Sequence, residues 1–187
     1  MPKYVAFLRA INVGGHTVKM DQLRSLFVGL GFSNVETFIA SGNVIFDSNS
    51  KDKKAAEAKR VQKIEQKIEK HLQAALNYEV ATFVRAVSQL AAIAEHKAFS
   101  ETQMAPPGSR VYIGFLADAP SAAVTNKLLS CATKVDDFHV HDREVYWLIR
   151  CGFSDSEFSG ARLEKTLGMR VTVRNSTTIK KLAAKYS

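Results

Sequence analysis

Residues 4–20 read YVAFLRAINVGGHTVKM and pass from an apolar run into a polar loop and then toward a helical repeat. The run at 4–8 has no polar interruption, the pattern of a strand buried on both faces. Leu23, Leu26, Phe27 and Leu30 recur at helical spacing, so a helix starts at residue 20 or 21. Loops between a strand and a helix usually run about two to six residues. This one is longer, and it holds Arg9, Asn12, Gly14, Gly15 and Lys19. Two glycines, two cations and a helix N-terminus at its far end make it the expected place of a site. The sequence names that place and a class of ligand. It names no reaction.

Outward from that loop, Gly31 supplies a left-handed stop to the first helix. Residues 35–40 and 44–46 read as strands joined by Ser41-Gly42-Asn43, residues that tolerate the positive φ of a tight hairpin. Val61, Ile64, Ile68, Leu72 and Ala75 form the apolar stripe of a long helix clothed in Lys and Glu, and 79–84 is the next strand. A helix over 88–98 follows. The stretch 104–109, MAPPGS, breaks regular structure and marks the boundary.

The order then repeats. Residues 110–116 form a strand, Pro120 opens a helix running to residue 133, and 137–141 with 144–149 form a hairpin around Asp142-Arg143. Phe158, Leu163 and Leu167 mark a helix ended by Gly168. Val171 and Val173 mark a last strand, and Asn175 or Ser176 caps a closing helix.

The expectation is an α+β protein of two tandem ferredoxin-like β-α-β-β-α-β units, each followed by an extra helix. The first unit with its trailing helix spans 1–99, a connector 100–109, and the second unit with its C-terminal helix 110–187. In that topology the first and second strands run parallel, so the Gly14-Gly15 loop and the Ser41-Gly42-Asn43 turn lie side by side. The matching edge of the second unit has only Ala117-Asp118-Ala119-Pro120 and a short hairpin.

With 187 residues, 46% hydrophobic and 9% aromatic, the chain is an ordinary globular protein. No run approaches the ~20 apolar residues of a membrane span, and Arg9 interrupts the N-terminal one. A soluble, cytoplasmic protein with no membrane partner is expected. Cys131 and Cys151 make no disulfide framework and no zinc spacing, and Cys131 reads as a small buried apolar residue. The net charge of +8 is carried by two blocks of +4 each, residues 51–77 and 151–187. Such blocks suit a polyanion. They better suit solvated helix faces in which acids and bases alternate at i,i+4.

The segments LRAINVGGHTVKM (8–20), TFIASGNVIFDS (37–48), REVYW (143–147), LEKTLG (163–168) and TVRNSTTIKKLA (172–183) resemble signature segments of the bacterial domain-of-unknown-function 1697 family. Usual members read close to LRGINVGG, VKM, YIQSGNVVF and TRNWNT. The resemblance implies a single-chain α+β fold and a recurring polar set at Arg9, Asn12, Gly14, Gly15, Lys19, Ser41, Gly42 and Asn43. It implies no activity. This chain departs at Ser176 and Thr177, where the family has an aromatic and an amide, and at Glu157 and Gly160, where it has a cation and an amide.

Backbone N–H groups of a Gly-Gly loop cradle an anion, and the following helix N-terminus adds positive charge. Arg9 offers a planar fork and Lys19 a point charge, while Asn12, Ser41 and Asn43 orient a polar ligand around Gly42. The expected partner is a small anion bearing phosphate or carboxylate. Neither nucleotide fingerprint occurs, and no cofactor is expected. One alternative is a protein that tracks a nucleic-acid backbone with its basic helices, since the RNP aromatic string is absent. The other is an enzyme acting on a phosphorylated or carboxylate substrate. Its catalytic residues stay unassigned, because His16 has no paired nucleophile and Ser41 lacks the G-x-S-x-G elbow. His139, His141 and Asp137 share one face of a strand. That alternation suits an exposed hairpin, and no metal is expected.

Overall fold

The apolar run forms β1, Lys3–Leu8, whose residues 4–8 are at most 1% exposed. The computed structural model describes residues 1–12, 15–39, 42–49, 56–151 and 156–186. After β1 come α1 (Met20–Gly29), β2 (Ser33–Phe38), β3 (Asn43–Asp47), α2 (Glu57–Leu76), β4 (Thr82–Ala86) and α3 (Val87–Glu95). A short α4 (Glu101–Met104) precedes β5 (Arg110–Phe115), α5 (Ala122–Leu129), β6 (Asp136–His141), β7 (Glu144–Ile149), α6 (Gly160–Leu167), β8 (Thr172–Asn175) and α7 (Ser176–Tyr186). The chain divides into two compact units, Met1–Leu90 joined by Tyr186, and Ala91–Lys185.

The fold is α+β, with two four-stranded antiparallel sheets ordered β2-β3-β1-β4 and β6-β7-β5-β8. Because β3 runs antiparallel to both β1 and β2, those two strands run parallel and end at one edge of the sheet. In the first unit Tyr4, Ala6 and Leu8 join Leu23 and Phe27 of α1 and Ile64, Ile68 and Leu72 of α2 in one core. The alternate residues Val5, Phe7, Ile45 and Phe83 are at most 2% exposed. Burial on both faces is why β1 shows no period-two alternation. The second unit's core gathers Leu128, Phe138, Trp147, Phe158, Leu163 and Leu167.

The central strands take the same places in the two sheets. Residues 4–8 read YVAFL and 112–116 read YIGFL. Val5 pairs with Arg85 and Ala6 with Val44, while Ile113 pairs with Arg174 and Gly114 with Val145. Glycine replaces alanine in the second because a Cβ at 114 would lie 2.9 Å from Cγ2 of Val171.

Element boundaries differ from expectation where side chains intervene. β2 begins at Ser33 and carries a register shift between Ser33 and Glu36, with Asn34 at φ 49°. β4 starts at Thr82, where the strand's outer N–H groups find acceptors on α2: Glu69 Oε1 accepts from Thr82 N at 2.9 Å and Glu65 Oε1 from Val84 N at 2.7 Å. These two carboxylates close an edge that would otherwise present bare donors. α5 begins after Pro120, with Ser121 as its N-cap. Gly31 and Gly168, the expected helix stops, have φ of 80° and 64°, and Asn175 Oδ1 accepts from Thr177 N at 2.9 Å as the expected cap of α7. Cys131 is half-buried rather than fully enclosed, its Sγ 3.4 Å from the Lys127 carbonyl.

Candidate functional site

The loop after β1 is tied down at several points. Arg9 N donates to Ala81 O and Leu8 N to Gly42 O, each at 2.8 Å. Ile11 and Val18 are 3% and 4% exposed and belong to the core, so the loop is pinned at both ends. Asn12 Oδ1 bridges them by accepting from Val18 N at 2.7 Å. Tyr78 OH donates to Ile11 O at 2.9 Å, and the exposed His16 ring stacks on Tyr78 with centroids 3.9 Å apart. Desolvation holds the Tyr78 hydroxyl above its ordinary pKa, so it stays a protonated donor.

The structure brings the loop and the turn together. A Cβ at Gly42 would fall 2.7 Å from Cγ2 of Ile11 and 3.2 Å from Cβ of Leu8. Of the expected polar set, Gly15 and Lys19 are exposed and Arg9 is half-buried. Asn12, also exposed, spends its carbonyl oxygen on the loop itself. Asn43 is fully buried and donates from Nδ2 to Phe38 O at 3.0 Å, which makes it a brace of the turn. Gly14 and Ser41 lie outside the described residues. Lys19 occupies the N-cap position of α1 with no side-chain cap bond, and Asp21 in the first turn pairs with Arg24. Two non-glycine residues flank the edge at positive φ: Ala10 at 55° and the exposed, β-branched Ile39 at 50°. Tyr78 and these two strained positions carry no motif in the sequence; only the fold reveals them.

The profile of the family described as "Protein of unknown function (DUF1697)" matches residues 1–146. The chain belongs to this family. The fold of this DUF1697 chain is also that of "conserved bacterial protein SP0830 from Streptococcus pneumoniae", at a TM-score of 0.70 and 20% identity, covering 99% of this chain and 98% of that one. No curated relative matches. Among the described residues no helix is long and apolar enough to cross a membrane.

A second polar cluster lies in the second unit of this family member. His96 Nε2 is 3.1 Å from His139 Nε2, and the His96 ring stacks on His141 at 4.2 Å and leans on Tyr146 at 4.8 Å. Tyr146 OH donates to Ile93 O at 3.0 Å. Asp137, which shares the strand face with His139 and His141, is drawn away by Arg150 at 2.8 Å and Gln103 at 3.2 Å. Ring nitrogens coordinate in the ring plane, so the stacked His96 and His141 do not converge on one ion. Among the described residues no group of three or more His, Cys, Asp or Glu is placed to hold a metal.

Burial first, then repulsion from His141 and His139, holds His96 below its ordinary pKa, against a weaker pull from Asp142 and Glu144. Burial and His141 lower His139 likewise. The unfolded chain therefore takes up protons first as pH falls through about 6.5. Stability is full above that value and falls as the pH drops toward the lower folded-state values. The expected result is a melting temperature that declines between pH 7 and pH 5, at about 2–4 °C per kcal/mol lost. A shallower decline in His96→Gln, read by thermal melts across that range, locates the effect. An unchanged slope in that variant removes the cluster as its source.

Proposed function

We propose that the protein binds a small anionic ligand, bearing phosphate or carboxylate, at the edge formed by the loop over residues 9–19 and the turn over 39–43. The supporting observation is the pair of strained residues, Ala10 and Ile39, standing on either side of that edge. Left-handed backbone at a non-glycine residue costs roughly 1–3 kcal/mol and persists where the surroundings over-determine it, most often around binding sites. Here the pinning comes from Ile11, Val18, Asn12 and Tyr78. The half-buried Arg9 and the exposed Lys19 and Gly15 supply a fork, a point charge at the N-cap of α1 and a loop N–H donor. Asn43 and Gly42 brace the turn, and Gly14 and Ser41 complete the set. No residue here is given a catalytic role.

We also read each unit as ferredoxin-like and the chain as a duplication, with 100–109 as the connector between spans 1–99 and 110–187. The shared strand order supports this, as do YVAFL and YIGFL in equivalent register. A cytoplasmic setting suits a chain whose Cys131 and Cys151 form no disulfide with each other.

Thermal melts with inorganic phosphate, nucleotides, sugar phosphates and small carboxylates test the binding. A native-state ligand at about 100 times its Kd adds about 2.7 kcal/mol, a rise of roughly 5–10 °C at this chain length. The rise is expected to vanish in Arg9→Ala/Lys19→Ala. No response to any anion, or a response that survives in the double variant, overturns the reading.

A further inference from the structure

Charge arithmetic treats the blocks 51–77 and 151–187 alike, but the fold does not. In the second block Arg174 is only 8% exposed, its Nη1 held by Thr172 Oγ1 at 2.8 Å and Val173 O at 2.9 Å, and Arg162 lies 5.0 Å over the Phe158 ring. Those two cations are engaged by the unit's own groups.

α2 is different. It is 20 residues long, about 30 Å of helix. Lys59, Lys63, Lys67 and Lys70 are exposed, and at 3.6 residues per turn they fall within an arc of roughly 80°. Gln62, Gln66 and Gln73, also exposed, border them on one side. The helix's acids do not share this face. Glu65 and Glu69 turn to the sheet and accept from Val84 N and Thr82 N, and Glu57 pairs with Arg60 within the first turn. The i,i+4 mixing of Lys and Glu in the sequence is therefore not a mixing in space: the acids close the β4 edge and the lysines line the outer surface. Lys67 is braced by its bond to Leu30 O at 2.6 Å and its place 5.2 Å over Phe32, which stiffens the middle of the row.

We propose that this outer face of α2 docks on the phosphate backbone of a nucleic-acid duplex without reading its sequence. A row of ammonium groups about 6 Å apart along a rigid helix complements a regularly charged polyanion. Lysines act as point charges and lack the fork that reads guanine edges. The exposed face carries lysine and glutamine and no aromatic ring, so it has nothing on which unpaired bases could stack, which favours duplex over single strand. The helix's apolar stripe, Val61, Ile64, Ile68 and Leu72, is spent in the core and leaves nothing to insert into a lipid surface. This surface is independent of the loop edge and of the small-anion reading.

The test is fluorescence anisotropy with a mixed-sequence 25-base-pair duplex over a salt series. Four phosphate contacts predict a slope of log K against log salt of about −3.6, and Lys59→Gln/Lys63→Gln/Lys70→Gln, with one lysine left, about −0.9. Glutamine keeps the helix propensity of these exposed sites, and circular dichroism checks the fold. Lys180→Gln/Lys181→Gln/Lys185→Gln on α7 removes the same charge elsewhere and is expected to keep most of the slope. Absence of duplex binding at low salt overturns the proposal, as does an equal loss in the α7 variant. Tighter binding to a single strand of equal length, or binding to phosphatidylserine vesicles alone, overturns it too.

Discussion

Trp147→Ala is expected to lower stability by about 3–5 kcal/mol, the largest effect of any single truncation considered. Trp147 is 1% exposed at the centre of the second unit's core. Its ring meets Phe158 edge-on at 5.7 Å and stacks on Phe138 at 6.1 Å. Its indole Nε1 donates to Asp136 Oδ1 at 2.8 Å, and Ser156 Oγ donates to the same oxygen at 2.7 Å. Asp136 is 2% exposed, so losing the indole both opens a cavity and strips a donor from a buried carboxylate. Trp147→Phe separates the two terms: it keeps most of the ring and removes the N–H, at an expected cost of about 1–3 kcal/mol. Because Trp147 is the sole tryptophan, urea unfolding is followed by far-ultraviolet circular dichroism. Equal losses in the two variants would assign the effect to the hydrogen bond. Losses under about 1 kcal/mol in both would contradict the central packing of this ring.

Trp147 also illustrates what the sequence conveys. β7 is legible as a strand because residues 144–149 are nearly all apolar, and β1 for the same reason. Helix positions follow from apolar spacing, and Gly168 and Asn175 stop and cap helices where their chemistry suggests. Strand starts are less legible. β4 begins where Glu65 and Glu69, more than ten residues upstream, reach its amides, and no local window contains both partners. The likeness of YVAFL and YIGFL is five residues long, and only the register shows that Ala6 and Gly114 stand against Val44 and Val145.

For the candidate site, the sequence and topology place the loop and the turn at one edge, and the approach of Gly42 to Ile11 agrees. The roles within the set are less legible. An asparagine reads alike whether it faces a ligand or its own loop, and Asn12 and Asn43 both serve the backbone. The histidines were further from reach. His139 and His141 alternate visibly on β6, but His96 arrives from 43 residues upstream of His139. Charge suffers the same loss of information: equal totals over two blocks conceal an ordered lysine row in one and a buried arginine in the other.

Gly42→Ala is expected to cost roughly 2–5 kcal/mol, from two additive causes. Gly42 has φ 74°, where an L side chain costs about 1–2 kcal/mol. A new Cβ would also sit 2.7 Å from Ile11 Cγ2, and a packed neighbour that must shift adds about 1–3 kcal/mol. Neither Ile11 nor Leu8 has room to retreat, since they are 3% and 1% exposed within the core. Moving Ile11 strains its bond from Tyr78, and moving Leu8 strains its bond to Gly42 O. Gly15→Ala isolates the first cause: Gly15 has φ 88°, but nothing lies within 4 Å of its would-be Cβ. The difference between the two variants in urea unfolding therefore measures the close approach of turn to loop. In the proposed anion site the same approach sets the turn, braced by the buried Asn43, against the loop that carries Arg9 and Lys19. Gly42→Ala should accordingly weaken any anion-induced rise in melting temperature, while Gly15→Ala disturbs only the backbone donor. If the two variants lose equal stability, the turn does not press on the loop, and the proposed anion site is left without its second wall.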